Sequence, residues 1–430
     1  MKRLFSATAA FNSVFRALRH RNYRLFFIGN GISLVGTWMQ QIAMSWLIYR
    51  LTSSVFLLGI MGFVAMFPGF LLVPIAGVLA DRWKRRHIIF FTQGLAMLQA
   101  LMLALLVLTD TIAPWHIISL SAFLSMIDAF DITARQAFVV DTIEKREDLG
   151  NAIALNSAMF NGARLLGPSL AGMLIATVGE GICFLMNSIS YLAVIITLML
   201  IHIEPAKREG GQAEIFQGIR EGLVYAFRFL PMRYILLLMG LVCLMGMPYS
   251  IMMPAFARDI LYGGPSTLGF LMAAAGCGAL IGAFYLASRR SILGLGKILP
   301  LAAAVSGSGI IAFSLSRSLG LSLLLLMVVG AGMMVQFASS NTILQTIVDD
   351  DKRGRVMSFF TMAWMGTAPL GSLMAGGLAG LIGVPHTLAI GGFACILGAL
   401  FYARQLPLLR SIVHPLYAKR GIVSGQQPKI

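Results

Sequence analysis

Gly77-Val78-Leu79-Ala80-Asp81-Arg82-Trp83-Lys84-Arg85-Arg86 is the stretch that decides the fold of this chain. The apolar runs 55–80 and 88–108 lie on either side of it, and neither carries a charge. Each run has the roughly 20 residues that a membrane-spanning helix needs. Five charges within the six residues from Asp81 to Arg86 therefore predict a tight aqueous loop between two spans.

The composition extends this prediction to the whole chain. Of 430 residues, 58% are hydrophobic and 12% are charged, whereas soluble domains have about 45–50% apolar and about 25% charged residues. The apolar runs do not alternate in polarity, as the strands of a membrane barrel do. The predicted fold class is an all-α polytopic membrane protein with 12 transmembrane helices.

The twelve predicted spans fall into two sets of six, with a basic segment at 1–24 before them. The first set, at 25–203, has spans at about 25–50, 55–80, 88–108, 115–134, 150–178 and 181–203. A polar linker at 204–233 ends in an interfacial helix, and the basic residues 11–24 form an amphipathic stretch that would lie on the membrane surface. The second set, at 234–406, has spans near 234–258, 267–288, 297–315, 321–348, 355–382 and 386–406, and a tail follows at 407–430.

The placement of charge predicts the orientation of the chain. The net charge is +16, and most Lys and Arg residues fall in the N-terminal segment, the tail or the loops of one side. By the positive-inside rule both termini lie in the cytoplasm, here below a bacterial inner membrane. The basic surface is expected to meet anionic membrane lipids and no nucleic acid. The Cys and His residues show no ligand spacing, so we predict no metal site and no cofactor.

Glycines indicate an internal duplication. Three of them, spaced by five residues in predicted span 5, recur 204 residues later in span 11: Gly162, Gly167 and Gly172 correspond to Gly366, Gly371 and Gly376. Arg85 and Arg86 map by the same shift onto Arg289 and Arg290. A shared offset at separate helix positions predicts two homologous halves.

Two motifs carry a resemblance to a known family. The loop at 77–86 resembles the signature between helices 2 and 3 of the major facilitator superfamily, although Lys84 stands where a second Gly is usual. Gly162 to Gly172, Gly-Ala-Arg-Leu-Leu-Gly-Pro-Ser-Leu-Ala-Gly, resembles the helix 5 motif of its exporters. Together they are similar to the enterobactin-exporter-like branch, which exports drugs and siderophores.

This resemblance implies a fold and an activity. The fold would be two six-helix pseudo-symmetric bundles around a central substrate path. The activity would be secondary active export of a small organic molecule by alternating access, coupled to protons by antiport. A monomer is expected. An importer or lipid flippase of the same fold is the alternative. A membrane enzyme or an ATP-driven pump is disfavoured, because the sequence has no catalytic motif and no nucleotide-binding loop.

The loop also suggests a conformational latch, formed by Gly77, Asp81, Arg82 and Arg85. The resemblance implies that Asp81 faces the start of span 11 near Arg355. It also implies that Arg85 reaches an acid at the cytoplasmic end of span 4, for which we expect Asp128. In the alternative, these charges only set the topology.

Arg164 lies some 14 residues into predicted span 5, in apolar surroundings. An Arg at that depth costs at least about 2.5–3.5 kcal/mol, so a watery cavity or a partner is expected. It could bind an anionic group of the substrate or pair with Asp128. Alternatively, it could bond backbone carbonyls freed at Gly167-Pro168. Small residues of the same motif, Gly162, Gly167, Pro168 and Gly172, predict a close helix approach and a bend.

Polar residues in span 1 follow helical spacing on one face. They predict either a substrate pathway or interhelical hydrogen bonds: Asn30, Ser33, Thr37, Gln40, Gln41 and Ser45. Asp128 and Asp131, near the end of predicted span 4, are the only acids that a first-half span could hold. Asp128 is therefore the candidate proton carrier. The alternative is a helix-end charge paired with Arg85 or Arg135.

Overall fold

The computed structural model describes residues 15–202, 229–289, 291–349 and 352–419, and gives the backbone alone at positions 81, 146, 354, 355 and 419. Within these ranges the chain is helical and contains no strand. The first half contains α1 (Arg21–Thr52), α2 (Val55–Val64 and Phe67–Arg82), α3 (Arg85–Leu108), α4 (Pro114–Asp141), α5 (Leu149–Val178) and α6 (Glu180–Leu200). The second half contains α7 (Leu230–Ile260), α8 (Pro265–Ser288), α9 (Leu295–Leu315), α10 (Leu319–Ile347), α11 (Arg353–Ile382) and α12 (Val384–Lys419).

Ten of the described helices are long and apolar enough to cross a membrane. The two others, α1 and α5, have 32 and 30 residues and therefore have sufficient length. Their polar side chains lower their hydropathy, and these are the helices that carry the polar face of span 1 and Arg164. The described residues thus form twelve helices of membrane-spanning length, as the sequence predicted.

Prolines interrupt two helices that the sequence predicts as continuous. α2 breaks between Val64 and Phe67, because Pro68 has no N–H to donate to the carbonyl of Val64. α7 changes from α to π geometry at Val242–Gly246 and to a 3₁₀ turn at Met247–Ser250, ahead of a second π turn at Phe256–Ile260. Two of its three prolines, Pro248 and Pro254, lie within the irregular stretch, and Pro231 lies in the first turn.

Three predicted boundaries differ from those of the structure. α1 begins at Arg21, and α4 continues to Asp141, seven residues beyond the predicted end. α12 continues to Lys419, through most of what was predicted as a tail. Charged residues look like the end of a span in a sequence, but a helix can extend past the apolar layer into water. Residues 1–14, 203–228 and 420–430, including most of the predicted linker, lie outside the described residues.

Residues 15–24 pack on protein, where the sequence suggested a membrane surface. Arg16 pairs with Asp148, and His20 hydrogen-bonds the same carboxylate at 2.9 Å. The backbone N–H of Ala17 donates to Asn151, and Tyr23 is fully buried in the apolar core. The hydrogen bond from His20, aided by the charge of Arg16, holds the pKa of Asp148 below its usual range. The start of the chain is therefore tied to the beginning of α5.

The helices divide into two units. Unit 1 comprises Met1–Ser53, Val64–Gly211 and Gly263–Ala273, and unit 2 comprises Ser54–Phe63, Gln212–Tyr262 and Ala274–Ile430. In unit 1, α1 packs on α5 and α6, while α3 packs on α4 and α6. In unit 2, α7 packs on α11 and α12, while α9 packs on α10 and α12. The second half thus repeats the packing of the first with a shift of six helices.

Two of the three duplicated glycine pairs lie at equivalent close approaches between helices. A Cβ at Gly167 would lie 3.1 Å from the carbonyl oxygen of Val35 in α1, and one at Gly371 would lie 2.9 Å from Cα of Leu244 in α7. Within unit 1, a Cβ at Gly172 would lie 3.0 Å from Cα of Gly269. Within unit 2, Gly376 meets Gly59 in the same way, at 2.6 Å. These contacts leave no room for a side chain, which explains why glycine occurs at both positions of each pair, 204 residues apart in this sequence.

Candidate functional site

A buried ion pair joins three helices of unit 1. Arg135 and Asp131, one turn apart in α4, approach to 2.6 Å. Asp131 also accepts hydrogen bonds from Thr92 at 2.8 Å and Gln93 at 3.0 Å, both in α3. Arg135 in turn donates to Asn30 of α1. Three side chains, from α3 and α4, thus donate to the carboxylate of Asp131 and fix its position.

Asp128 lies one turn before Asp131 and has a different environment. It is half-buried, and no described side chain makes a hydrogen bond or ion pair with it. Since α4 runs from Pro114 to Asp141, Asp128 lies near the middle of the helix rather than near its end, which corrects the prediction. Tyr191 of α6 is close enough to interact electrostatically with Asp128. The structure thus presents two neighbouring acids, one fully bonded and one without a partner among the described residues.

A second network of side chains crosses the same unit. Gln40 of α1 donates to Gln99 of α3 at 2.9 Å and accepts from Asn187 of α6 at 2.8 Å. Gln99 donates in turn to the carbonyl of Leu120 in α4, at 3.2 Å. Each polar group thereby finds a partner away from lipid, as it must inside a membrane.

The polar residues of α1 therefore divide between the two predicted roles, interhelical hydrogen bonding and a substrate pathway. Asn30, Ser33 and Gln40 are buried, and Asn30 and Gln40 bond neighbouring helices. Thr37 is half-buried and donates to the carbonyl of Ser33 at 3.0 Å. Gln41 is exposed. The buried residues thus support the helix packing, and Gln41 remains accessible to a solute.

Arg164 contacts an aromatic ring. Its guanidinium carbon lies 6.0 Å from the centre of the Trp38 ring in α1, within range of a cation–π interaction. The described residues supply it with neither a carboxylate nor a backbone carbonyl. Its predicted pairing with Asp128 is thus absent, and so is bonding to the carbonyls near Gly167-Pro168.

Arg85 has a partner different from the one predicted. It binds Asp141 at 3.0 Å and donates to the carbonyl of Ala137 at 2.9 Å. Because α4 continues to Asp141, that acid occupies the helix end at which the sequence placed Asp128. Asp128 lies 13 residues before Asp141 in α4, or about 20 Å away along the helix. Arg85 thus joins α3 to α4 inside unit 1.

The remaining latch and motif residues have simpler surroundings. Arg82 is exposed, and a Cβ at Gly77 or Gly162 would meet no neighbour. The side chains of Asp81 and Arg355 lie outside the described residues, so their roles stay predictions. The carbonyl of Pro168 would lie 2.7 Å from a Cβ at Gly269, so Pro168 shares the close approach of Gly172.

The charged network of α4 has no equivalent in the corresponding helix of the second half. α10, the counterpart of α4, contains no charged residue between Leu319 and Ile347. Sequence reasoning identified Asp128, Asp131 and Arg164 but not their neighbours, which are Tyr191 for Asp128, Thr92 and Gln93 for Asp131, and Trp38 for Arg164. Polar and aromatic types in spans were visible, but their partners depend on which helices pack together. The two halves thus share packing and differ in charge.

The chain is similar over nearly its whole length to known transporters. A family model described as transmembrane secretion effector matches residues 12–415. The staphyloferrin A transporter of Staphylococcus aureus is 24% identical, covering 87% of this chain and 93% of its own. The multidrug efflux pump Tap of Mycolicibacterium fortuitum is 26% identical, with 89% and 93% covered. The enterobactin exporter EntS of Citrobacter koseri is 23% identical, with 92% and 94% covered.

Solved structures agree with the fold. A bacterial homologue of the human lysosomal transporter Spinster, inward-facing and unoccupied, superposes with a TM-score of 0.68 at 13% identity, covering 96% of this chain and 99% of its own. The nucleoside transporter NupG superposes with a TM-score of 0.67 at 14% identity, covering 89% of this chain and 98% of its own. With the duplicated packing and the match to the family over residues 12–415, these likenesses establish that the chain is a multi-pass membrane protein of the major facilitator superfamily, in the transmembrane secretion effector family.

Proposed function

We propose that this protein exports a small organic molecule from the bacterial cytoplasm across the inner membrane, in exchange for protons. The observation that carries the coupling is Asp128, a carboxyl group in the middle of α4 to which no described side chain bonds. Ionisable groups at such depth are costly and are usual in proton pathways. The direction of transport is supported by relatives whose names describe export of enterobactin and efflux of drugs.

The two acids of α4 have different roles in this proposal. Asp131 is held in place, because Thr92, Gln93 and Arg135 all donate to it. It compensates the charge of Arg135 and holds the helices together. Asp128 has no such donors, so its proton can leave and return at little structural cost. Neighbouring acids in unequal environments commonly divide into a fixed charge and a proton carrier.

A transport cycle follows from this assignment. Asp128 takes up a proton from the outside, where the proton gradient supplies it, and releases it to the cytoplasm. The transported compound binds when Asp128 has lost its proton and leaves when the proton returns. The ligand and the proton thereby favour opposite states, which is the thermodynamic requirement for antiport.

The experiment that tests the function begins with the compound itself. Culture supernatants of a strain that lacks this protein and of its parent are compared by mass spectrometry, and a compound missing from the first is purified. Everted membrane vesicles containing the protein should then accumulate this compound during respiration, and a protonophore should release it. If accumulation persists with the protonophore, protons do not drive the transport. If no secreted compound differs, the role in export is contradicted.

A further inference from the structure

We propose that Arg164, Trp38 and Gln41 form a binding site for an organic anion that carries a flat conjugated group. This inference rests on the proposed function, since it names the class of molecule that would be transported. All three residues belong to unit 1.

Arg164 is a cation without a counter-charge in the middle of α5. Its guanidinium lies over Trp38, and Phe160 stands edge-on to the same ring with 5.7 Å between ring centres. No described carboxylate or carbonyl compensates its charge. An intramembrane Arg of this kind is costly unless water or a ligand reaches it. A bound anion would supply the missing charge.

The accessible side of α5 ends at Arg164. Residues 157, 161, 164, 168 and 172 follow steps of three and four, so they share one helix face. Ser157 is exposed, and Asn161 donates to its carbonyl at 2.8 Å in an exposed setting. At the other end of this face, Gly172 packs against Gly269. Arg164 thus lies where a polar, open face meets a closed one, which is the position expected of a binding group at the end of an aqueous path.

α1 contributes the other side of the site. Its buried polar residues are bonded to neighbouring helices, but Trp38 is half-buried and Gln41 is exposed. Positions 38 and 41 are neighbours on a helix surface. No described group makes a hydrogen bond with the Gln41 amide, which leaves both its donor and its acceptor for a ligand.

These groups select a ligand by chemistry. A guanidinium binds a planar carboxylate through two parallel hydrogen bonds. An indole favours a flat conjugated ring, which can stack or meet it edge to face. A cationic ligand would be repelled by Arg164. The matching class is therefore an aromatic or conjugated carboxylate, or a similar flat anion.

The test uses the full chain in detergent and three probes, with binding measured by isothermal titration. The probes are 2-naphthoate, its neutral amide 2-naphthamide, and cyclohexanecarboxylate, an anion without a conjugated ring. We expect 2-naphthoate to bind at least about tenfold more tightly than either of the others. Arg164→Gln should weaken the binding of 2-naphthoate by about tenfold or more and leave the affinity for 2-naphthamide unchanged. Arg164→Lys, which keeps the charge without the planar fork, should fall between wild type and Arg164→Gln.

Arg233→Gln is the matched control. Arg233 also lies over an aromatic ring, 5.7 Å from the centre of Tyr234, but it is exposed at the start of α7. This variant should bind 2-naphthoate like wild type. Equal affinity of the wild type for 2-naphthoate and 2-naphthamide, or equal effects of the two Gln variants, would overturn the site. Arg164→Gln is replaced in the test if it does not elute as a single peak from size exclusion. The affinity for 2-naphthoate relative to 2-naphthamide is then compared between wild type and Arg164→Lys, and an equal ratio in the two proteins would overturn the site.

The outcomes also separate this site from the proposed function. Proton-driven export of a neutral compound that Arg164→Gln leaves intact would contradict the anion site and support the function. Arg164-dependent binding of 2-naphthoate by a protein that exchanges no protons would support the site and contradict the coupling.

Discussion

Asp128→Asn should abolish proton-driven accumulation of the transported compound, to the level of vesicles without the protein. An amide has nearly the size and polarity of the carboxyl group but cannot take up or release a proton. Exchange of labelled for unlabelled compound across liposomes without a gradient should persist, because exchange requires no net proton transfer. Both rates are measured with the labelled compound in proteoliposomes.

Asp110→Asn provides the matched control for this substitution. Asp110 is an exposed acid between α3 and α4, with a positive φ of 54° that asparagine also adopts readily. It should retain both driven accumulation and exchange. If Asp128→Asn still accumulates the compound, another group carries the proton. If driven transport and exchange are lost together, Asp128 is needed for binding rather than for coupling.

Removing one member of the Arg135–Asp131 pair should strongly lower the stability of the protein. Asp131 is buried and Arg135 is half-buried, and replacing one of them leaves an uncompensated charge at a cost of up to about 3–5 kcal/mol. Asp131→Leu alone and Arg135→Met alone should therefore lower the melting temperature in detergent by more than the double variant does. Thermal unfolding followed by circular dichroism measures all three.

The double-mutant cycle determines whether the pair acts as a unit. A loss of stability in the double variant that is smaller than the sum of the two single losses would indicate that Asp131 and Arg135 compensate each other. Purely additive losses would instead mean that Asp131 is stabilised mainly by Thr92 and Gln93, its hydrogen-bond donors in α3. In that case Asp131 would not serve as the counter-charge of Arg135.

The sequence predicted the helices well because a span is a local property. An apolar run of about 20 residues is enough to predict a membrane span. The 204-residue offset of the glycines likewise predicted the duplication. The ends of helices were predicted less well. Arg135 and Asp141 made α4 look complete at residue 134, whereas the helix continues to Asp141. That error placed Asp128 at a helix end and assigned it to Arg85.

The site was predicted only in part, because partners depend on packing. Arg164 could be identified as a charge too deep for a solvated surface, and Asp128 as one of the two acids that a first-half span could hold. Nothing local indicated that Arg164 would lie over Trp38, since an aromatic residue in a span can equally face lipid. Likewise, Gln40 and Gln41 are adjacent in the sequence, yet one is buried in a network and the other is exposed. Helical periodicity predicts which residues share a face, whereas the residues that this face contacts depend on how the helices pack in the fold.

The most direct test of proton-coupled export is the movement of protons themselves. Proteoliposomes are loaded with the transported compound and a trapped pH-sensitive dye, and then diluted into buffer of the same pH. Outflow of the compound should draw protons inward and acidify the interior, and liposomes without the protein should show no change. Outflow with a constant internal pH, or with alkalinisation, would contradict antiport.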